Sequence, residues 1–272
     1  MNGVRFPRRL LLFIALNTLR EAVRQKVFTF LLLLALGLVL GSQYFRHFHF
    51  GSPELKFIAD LGFGAMALFG AVLAVVATTQ LFFSEIEHRT ILTLLAKPVR
   101  RAEFVLGKLL GVAVVIGVFC SVLTVVLAAV LWTRETSLAR DLPGGLAGGP
   151  VVNYAHVAVA GFLQWLKLVV LASLTLLVAS YAQTQLFTMA MGFLVCVVGH
   201  LQYLAQEAAA RGAGPVSRVL AGLVAVVLPN FQLFSDAGTL AWTQVAGVTV
   251  YAFAHVAAAG ALAVFCFCRR EI

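Results

Sequence analysis

Few side chains in this sequence could do chemistry, and the most conspicuous is Lys167. It interrupts the apolar stretch that ends near Ser180. Gln164 lies three residues before it and His156 eight before that, so the three share one side of a helix. An ionisable group inside such a run marks a path for an anionic solute or lipid headgroup, or else a side chain that reaches out to the headgroups. Lys167 stands fourteen residues before Tyr181, roughly 21 Å by helical rise, which puts it in the outer part of a bilayer. His200, Gln202 and Gln206 pose the same choice at the outer end of another apolar run. His156, Gln164, Lys167 and His200 are therefore the candidate solute pathway.

Other chemistries find less support. His47, His49, His156 and His200 could meet on one side of a membrane, where imidazoles suit copper. Histidine at an interface is ordinarily a polar tip, however, and no metal is assigned. Cys120, Cys196, Cys266 and Cys268 all sit in apolar runs and read as small hydrophobes. The spacing Cys266-Phe-Cys268 is too short for a usual zinc pair. Glu85 and Glu87 beside His88 faintly suggest an intramembrane protease, but no second metal-ligating histidine motif accompanies them. No catalytic set is assigned. A Gly-x4-Gly-Lys-Ser/Thr phosphate loop is absent, since Gly107-Lys108 is followed by Leu109 and lacks the preceding glycine.

The elements that position these residues follow from composition. Of 272 residues, 61% are hydrophobic and 11% charged, against about 25% charged in soluble domains. The mean hydropathy is +0.98. Lipid must be the solvent, and the length suits one all-α membrane domain over residues 1–272 with six transmembrane helices. The spans are expected at about Val27–Phe45, Phe57–Phe83, Phe104–Trp132, a fourth ending near Ser180 and starting between Tyr154 and Lys167, Leu186–Ala205, and Gln244–Cys268.

Two further elements are expected. Over residues 1–26, Asn17, Arg20, Glu21 and Arg24 recur on one side, and Leu12, Leu16, Leu19 and Val23 on the other. That pattern predicts an interfacial amphipathic helix or a solvated extension of the first span, with no cleavable signal peptide. Val219–Leu228 is only ten residues long and stops at Pro229-Asn230. Such a length reaches about half a bilayer, so residues 217–236 are expected to form a re-entrant element before the last helix. The stretch from Pro143 to Pro150 is a glycine-rich linker.

Orientation follows from lysine and arginine. With both termini inside, the inner side holds thirteen basic residues and the outer side six. This accounts for the net charge of +9 without nucleic acid, for which no basic stripe with interleaved aromatics exists. The chain is expected to be a multi-pass protein of the cell (inner) membrane.

The most informative segment joins the second and third spans over residues 85–103 and runs on to Lys108. Thr90 to Ala96 forms a short helix with Ile91, Leu94 and Leu95 on one face, and Pro98 stops it. Arg100 and Arg101 follow, and a new helix starts near Ala102-Glu103. A short apolar-faced helix held between two spans is a docking knob for a soluble partner. The segment resembles the signature of ABC-2-type permeases, at Glu85, Glu87, Thr90, Leu94, Leu95, Pro98, Arg101, Gly107 and Lys108. Where many relatives carry a small residue before the threonine, this chain has His88-Arg89, which makes the loop more basic. Gly199-His200 and Pro229-Asn230-Phe231 more weakly resemble the small permeases associated with multicopper-enzyme maturation.

The resemblance implies the membrane subunit of an ATP-binding-cassette exporter. Two such chains, the same or similar, would pair, and each would dock a cytoplasmic ATPase subunit through Glu85, Glu87, Arg89, Thr90, Leu94, Leu95, Pro98, Arg100, Arg101, Gly107 and Lys108. ATP and Mg would belong to the ATPase, and this chain would bind no cofactor of its own. A secondary transporter or channel without an ATPase, and a membrane-embedded enzyme, are the rival classes, and the loop motif argues against both. The cargo is not encoded in any recognisable motif.

Overall fold

A computed structural model describes residues 25–47, 53–87, 101–141, 152–210, 229–235 and 242–269. The expected interfacial helix before residue 25, most of the loop between the second and third spans, the glycine-rich linker and residues 217–228 lie outside the described residues. Every regular element among the described residues is helical. The long helices are α1 (Lys26–Gly41), α2 (Pro53–Glu87), α3 (Arg101–Asp141), α4 (Tyr154–Tyr181), α5 (Gln185–Ala210) and α6 (Trp242–Arg269). Among the described residues, six helices are long and apolar enough to cross a membrane.

The helices run alternately up and down. One end of the bundle carries the end of α2, the start of α3, the α4–α5 turn and the end of α6, and is called here the loop end. Its opposite is the far end. α4 is the central helix, touching α2, α3, α5 and α6. Its most apolar window is 78% buried, against 22% in α5 and 28% in α6, so the latter two turn most of their surface outward. Leu186, Leu194, Val197 and Leu201 of α5 and Val250, Phe253, Leu262 and Phe265 of α6 are exposed accordingly. In lipid that exposure is solvation.

Without a hydrophobic drive between helices, association in lipid depends on close packing and internal hydrogen bonds. Gly161 of α4 shows the first. A Cβ there would run into the Thr124 hydroxyl and methyl of α3, so the missing side chain lets the two backbones approach. Trp165 shows the second, donating its indole N–H to the Ala113 carbonyl of α3 at 2.9 Å. Inside the helices Thr78, Thr79 and Thr175 satisfy their hydroxyls on carbonyls one turn back.

Three boundaries sharpen the expectation. α4 starts at Tyr154, where the Asn153 side chain accepts the Ala155 and His156 N–H groups. Lys167 therefore sits at mid-helix. α2 starts at Pro53, a first-turn position where a missing N–H costs nothing. α3 runs nine residues past Trp132 to Asp141, because the Thr-Arg-Glu-Thr-Ser-Leu-Ala-Arg stretch continues the helix until Pro143 approaches. Its 41 residues make roughly 61 Å, twice the hydrocarbon core.

Candidate functional site

The loop end is built on phenylalanine. Phe82 and Phe83 close α2, Phe104 opens α3 and Phe267 closes α6. All four are buried. Phe82 lies 5.7 Å from Phe267 and 6.1 Å from Phe104, centroid to centroid, and Phe104 stacks on Phe267 at 5.7 Å. Leu176, Val178 and Ala179 of α4 complete the cluster. Edge-on and offset rings pack favourably, so the ends of α2 and α6 and the start of α3 are fastened together.

The predicted docking residues divide across this frame. Glu85 and Glu87 lie in the last turn of α2, and Arg101 is the first residue of α3. Gly107 and Lys108 lie on the second turn of α3, both buried, with Lys108 2% exposed. Arg89, Thr90, Leu94, Leu95, Pro98 and Arg100 lie outside the described residues. The phenylalanine cluster was not singled out from sequence. Its signal was present, since Phe82-Phe83 precedes Glu85 and Phe104 follows Arg101, but phenylalanine is frequent in apolar spans and carries no spacing of its own.

The candidate pathway residues also divide. Lys167 is 4% exposed and Gln164 6%, so Lys167 points into the bundle and does not reach outward to headgroups. Its ammonium lies 5.9 Å from the centre of the Phe231 ring. His200 packs edge-on against the same ring at 5.3 Å, and its Nδ1 sits 2.8 Å from the Cys196 carbonyl. That contact places the proton on Nδ1 and leaves Nε2 open. His156 is exposed in the first turn of α4. It shares the helix side with Gln164 and Lys167, but lies roughly 16 Å from Lys167 along the axis, and none of the described residues covers it there.

Phe231 belongs to a short 3-10 turn, Phe231–Phe234, set against α4 and α5. Asn230 builds the turn by accepting the Gln232 N–H at 3.0 Å, while its own N–H donates to the Tyr251 hydroxyl of α6 at 3.0 Å. Tyr251 in turn packs on His255 at 4.2 Å. Elsewhere a groove of about 460 Å³ runs between α3 and α4, lined by Gly117, Ser121, Ala158, Gly161 and Phe162. At about 100° per residue it opens on the opposite face of α4 from Lys167. Among the described residues no three of His, Cys, Asp and Glu come together to hold a metal ion.

A model of the ABC-2 family of transporter proteins matches residues 12–217, three-quarters of the chain, which hold five of the six helices that are long and apolar enough to span among the described residues. The chain belongs to the ABC-2 transporter family. It is therefore a multi-pass membrane protein and the permease component of an ABC transporter. A comparison with curated proteins gives no match. The phenylalanine cluster stands where α2 ends and α3 begins, and Lys167 lies in the body of the helices.

Proposed function

We propose that this chain is the transmembrane half of an ATP-driven exporter, working as a pair of permease chains that each engage a separate cytoplasmic ATPase subunit. In this reading the loop end faces the cytoplasm, both termini lie there, and the membrane is the cell (inner) membrane. Residues 85–103 are the docking segment, with Leu94 and Leu95 entering an apolar cleft on the ATPase. This chain hydrolyses no ATP. ATP and Mg are bound by the partner, and the chain's own work is to receive its movement and rearrange α2, α3 and α6.

The observation that carries the reading is the aromatic packing of the helix ends that flank the proposed docking segment. A motif that binds a partner transmits force only if its flanks are stiff. Phe82, Phe104 and Phe267 lie within about 6 Å of one another across three helices, so displacement of residues 88–100 moves those helices as a unit.

The test is co-expression with a cognate ATPase, sought first among the genes next to this chain's own. Purified alone, the chain should show no ATP hydrolysis, and the complex should hydrolyse ATP with vanadate sensitivity. Replacing Leu94 and Leu95 together by Asp should abolish co-purification while leaving membrane insertion intact. Turnover by the isolated chain, or undiminished co-purification of the double variant, would overturn the proposal.

A further inference from the structure

The turn between α4 and α5 is only Ala182–Thr184, so the two helices are antiparallel neighbours in fixed register. Gln164 lies seventeen residues before the end of α4, and Gln202 seventeen after the start of α5. Lys167 lies fourteen before, and Gly199 fourteen after. Two pairs at a spacing of three thus stand at matching depth: Gln164 with Gln202, and Lys167 with Gly199. All four are buried, Gln202 at 2% exposure.

This layer is unsatisfied. Neither amide atom of Gln202 has a hydrogen-bond partner among the described residues, and neither has the Gln164 amide nitrogen. Lys167 meets no carboxylate among the described residues, and the face of Phe231 is what its ammonium finds. Buried amides ordinarily find partners, and a buried ammonium ordinarily finds an anion. Here, within one helical turn of each other, two amides lack hydrogen-bond partners and an ammonium lacks a carboxylate among the described residues, on the central helix α4 and its neighbour α5. The set is rich in donors: an ammonium with three hydrogens and two amide NH2 groups, with the Gln202 oxygen as one acceptor. An oxyanion matches it, its oxygens taking the donors while a hydroxyl it carries donates to Gln202 Oε1.

The cover of the layer is aromatic. Phe231 is wholly buried and fits because residue 199 is glycine. A Cβ there would approach the ring to 2.6 Å. The ring offers Lys167 a weak cation–π contact, which an oxyanion readily replaces.

We propose that Gln164, Lys167 and Gln202 form a recognition site for an oxyanion, phosphate or carboxylate, at mid-depth in the bundle, with Phe231 as its displaceable cover. This rests on the permease reading for its role in transport, but not for binding itself. A lipid headgroup and a free solute can each carry the oxyanion, and the chemistry is the same.

The experiment uses the full chain in micelles of a maltoside detergent, which holds no oxyanion, titrated with three probes: a short-chain phosphatidic acid, inorganic phosphate and octanoate. Binding of at least one is expected. Lys167→Met should weaken it at least tenfold and Gln202→Leu several-fold, while Lys167→Arg retains most of it and the exposed-lysine control Lys56→Met changes nothing. Lys167→Met removes a buried charge, so its thermal midpoint should be equal or higher, which separates loss of binding from loss of fold. Binding of phosphatidic acid alone identifies a lipid source, and binding of inorganic phosphate a free solute. Failure of all three probes on the wild-type chain, or equal binding by Lys167→Met, overturns the site. If Lys167-dependent binding holds but no ATPase associates, the permease reading fails and the site stands. If the ATPase associates and Lys167→Met binds normally, the reverse is true.

Discussion

Glu54, in the first turn of α2, takes two N–H bonds on one carboxylate oxygen from Arg134 of α3, from Nε at 3.0 Å and from Nη2, with both side chains buried. The pair ties α2 to α3 at the far end, as the phenylalanines tie them at the loop end. Removing one partner strands a buried charge, which costs about 3–5 kcal/mol, whereas replacing both by apolar groups is nearly neutral. Glu54→Gln should therefore lower the unfolding midpoint in detergent sharply, and Glu54→Gln with Arg134→Met should recover most of the loss. Equal destabilisation by the single and double variants would show that the pair adds nothing as a pair.

Close approach of α3 and α4 gives a second expectation. Gly161→Ala drives a methyl into Thr124, and overpacking of this kind costs about 1–3 kcal/mol. Adding Thr124→Ala should return most of that. Gly247 of α6 has nothing within 4 Å of its would-be Cβ, so Gly247→Ala should be neutral or stabilising by up to about 1 kcal/mol. Thermal unfolding of the three variants beside the wild-type chain in one detergent decides it. A Gly161→Ala midpoint equal to that of Gly247→Ala would contradict the packing.

The phenylalanine cluster should separate binding from coupling. Phe267→Ala removes the ring that joins α6 to α2 and α3. In lipid the packing share of a large-to-small change is what is lost, about 1–3 kcal/mol. The ATPase should still co-purify, because the docking face is untouched. Its stimulation by the reconstituted permease should fall several-fold. Normal stimulation would place the transmitting contacts elsewhere.

Depth and sidedness are tested by labelling. With the four native cysteines replaced, single cysteines at Ser217 and Ala237 should both react with an impermeant thiol reagent from outside. Labelling of Ser217 from outside only and of Ala237 from inside only would mean that the intervening chain crosses completely, and the six-span orientation would need revision.

The spanning helices were legible because apolar runs of bilayer length admit few alternatives. Loop chemistry fixed the ends less well. α3 outruns its apolar stretch, since polar residues from Thr133 to Arg140 are competent helix formers and hydropathy is blind to them. Lys167 was visible as an oddity, but its direction was not. Helical periodicity places it on a side of α4 without saying which neighbour stands there, and that neighbour, Phe231, is sixty-four residues away in sequence. Gln202 likewise drew notice only as a polar residue near a span end. Its match in depth with Gln164 depends on a three-residue turn whose consequence is geometric.

In the proposed exporter, the excess length of α3 would let it act as a rocker arm. Its roughly 61 Å means that a tilt of about 5° pivoting at the loop end sweeps the opposite tip through roughly 5 Å. That tip is not idle. One Glu135 oxygen accepts the Val152 N–H at 3.1 Å and the other accepts the Tyr154 hydroxyl at 2.6 Å, where α4 begins. In the proposed exporter, a short stroke delivered beside Phe104 would arrive amplified at the far end, and there it would tug on the very helix whose middle carries Lys167.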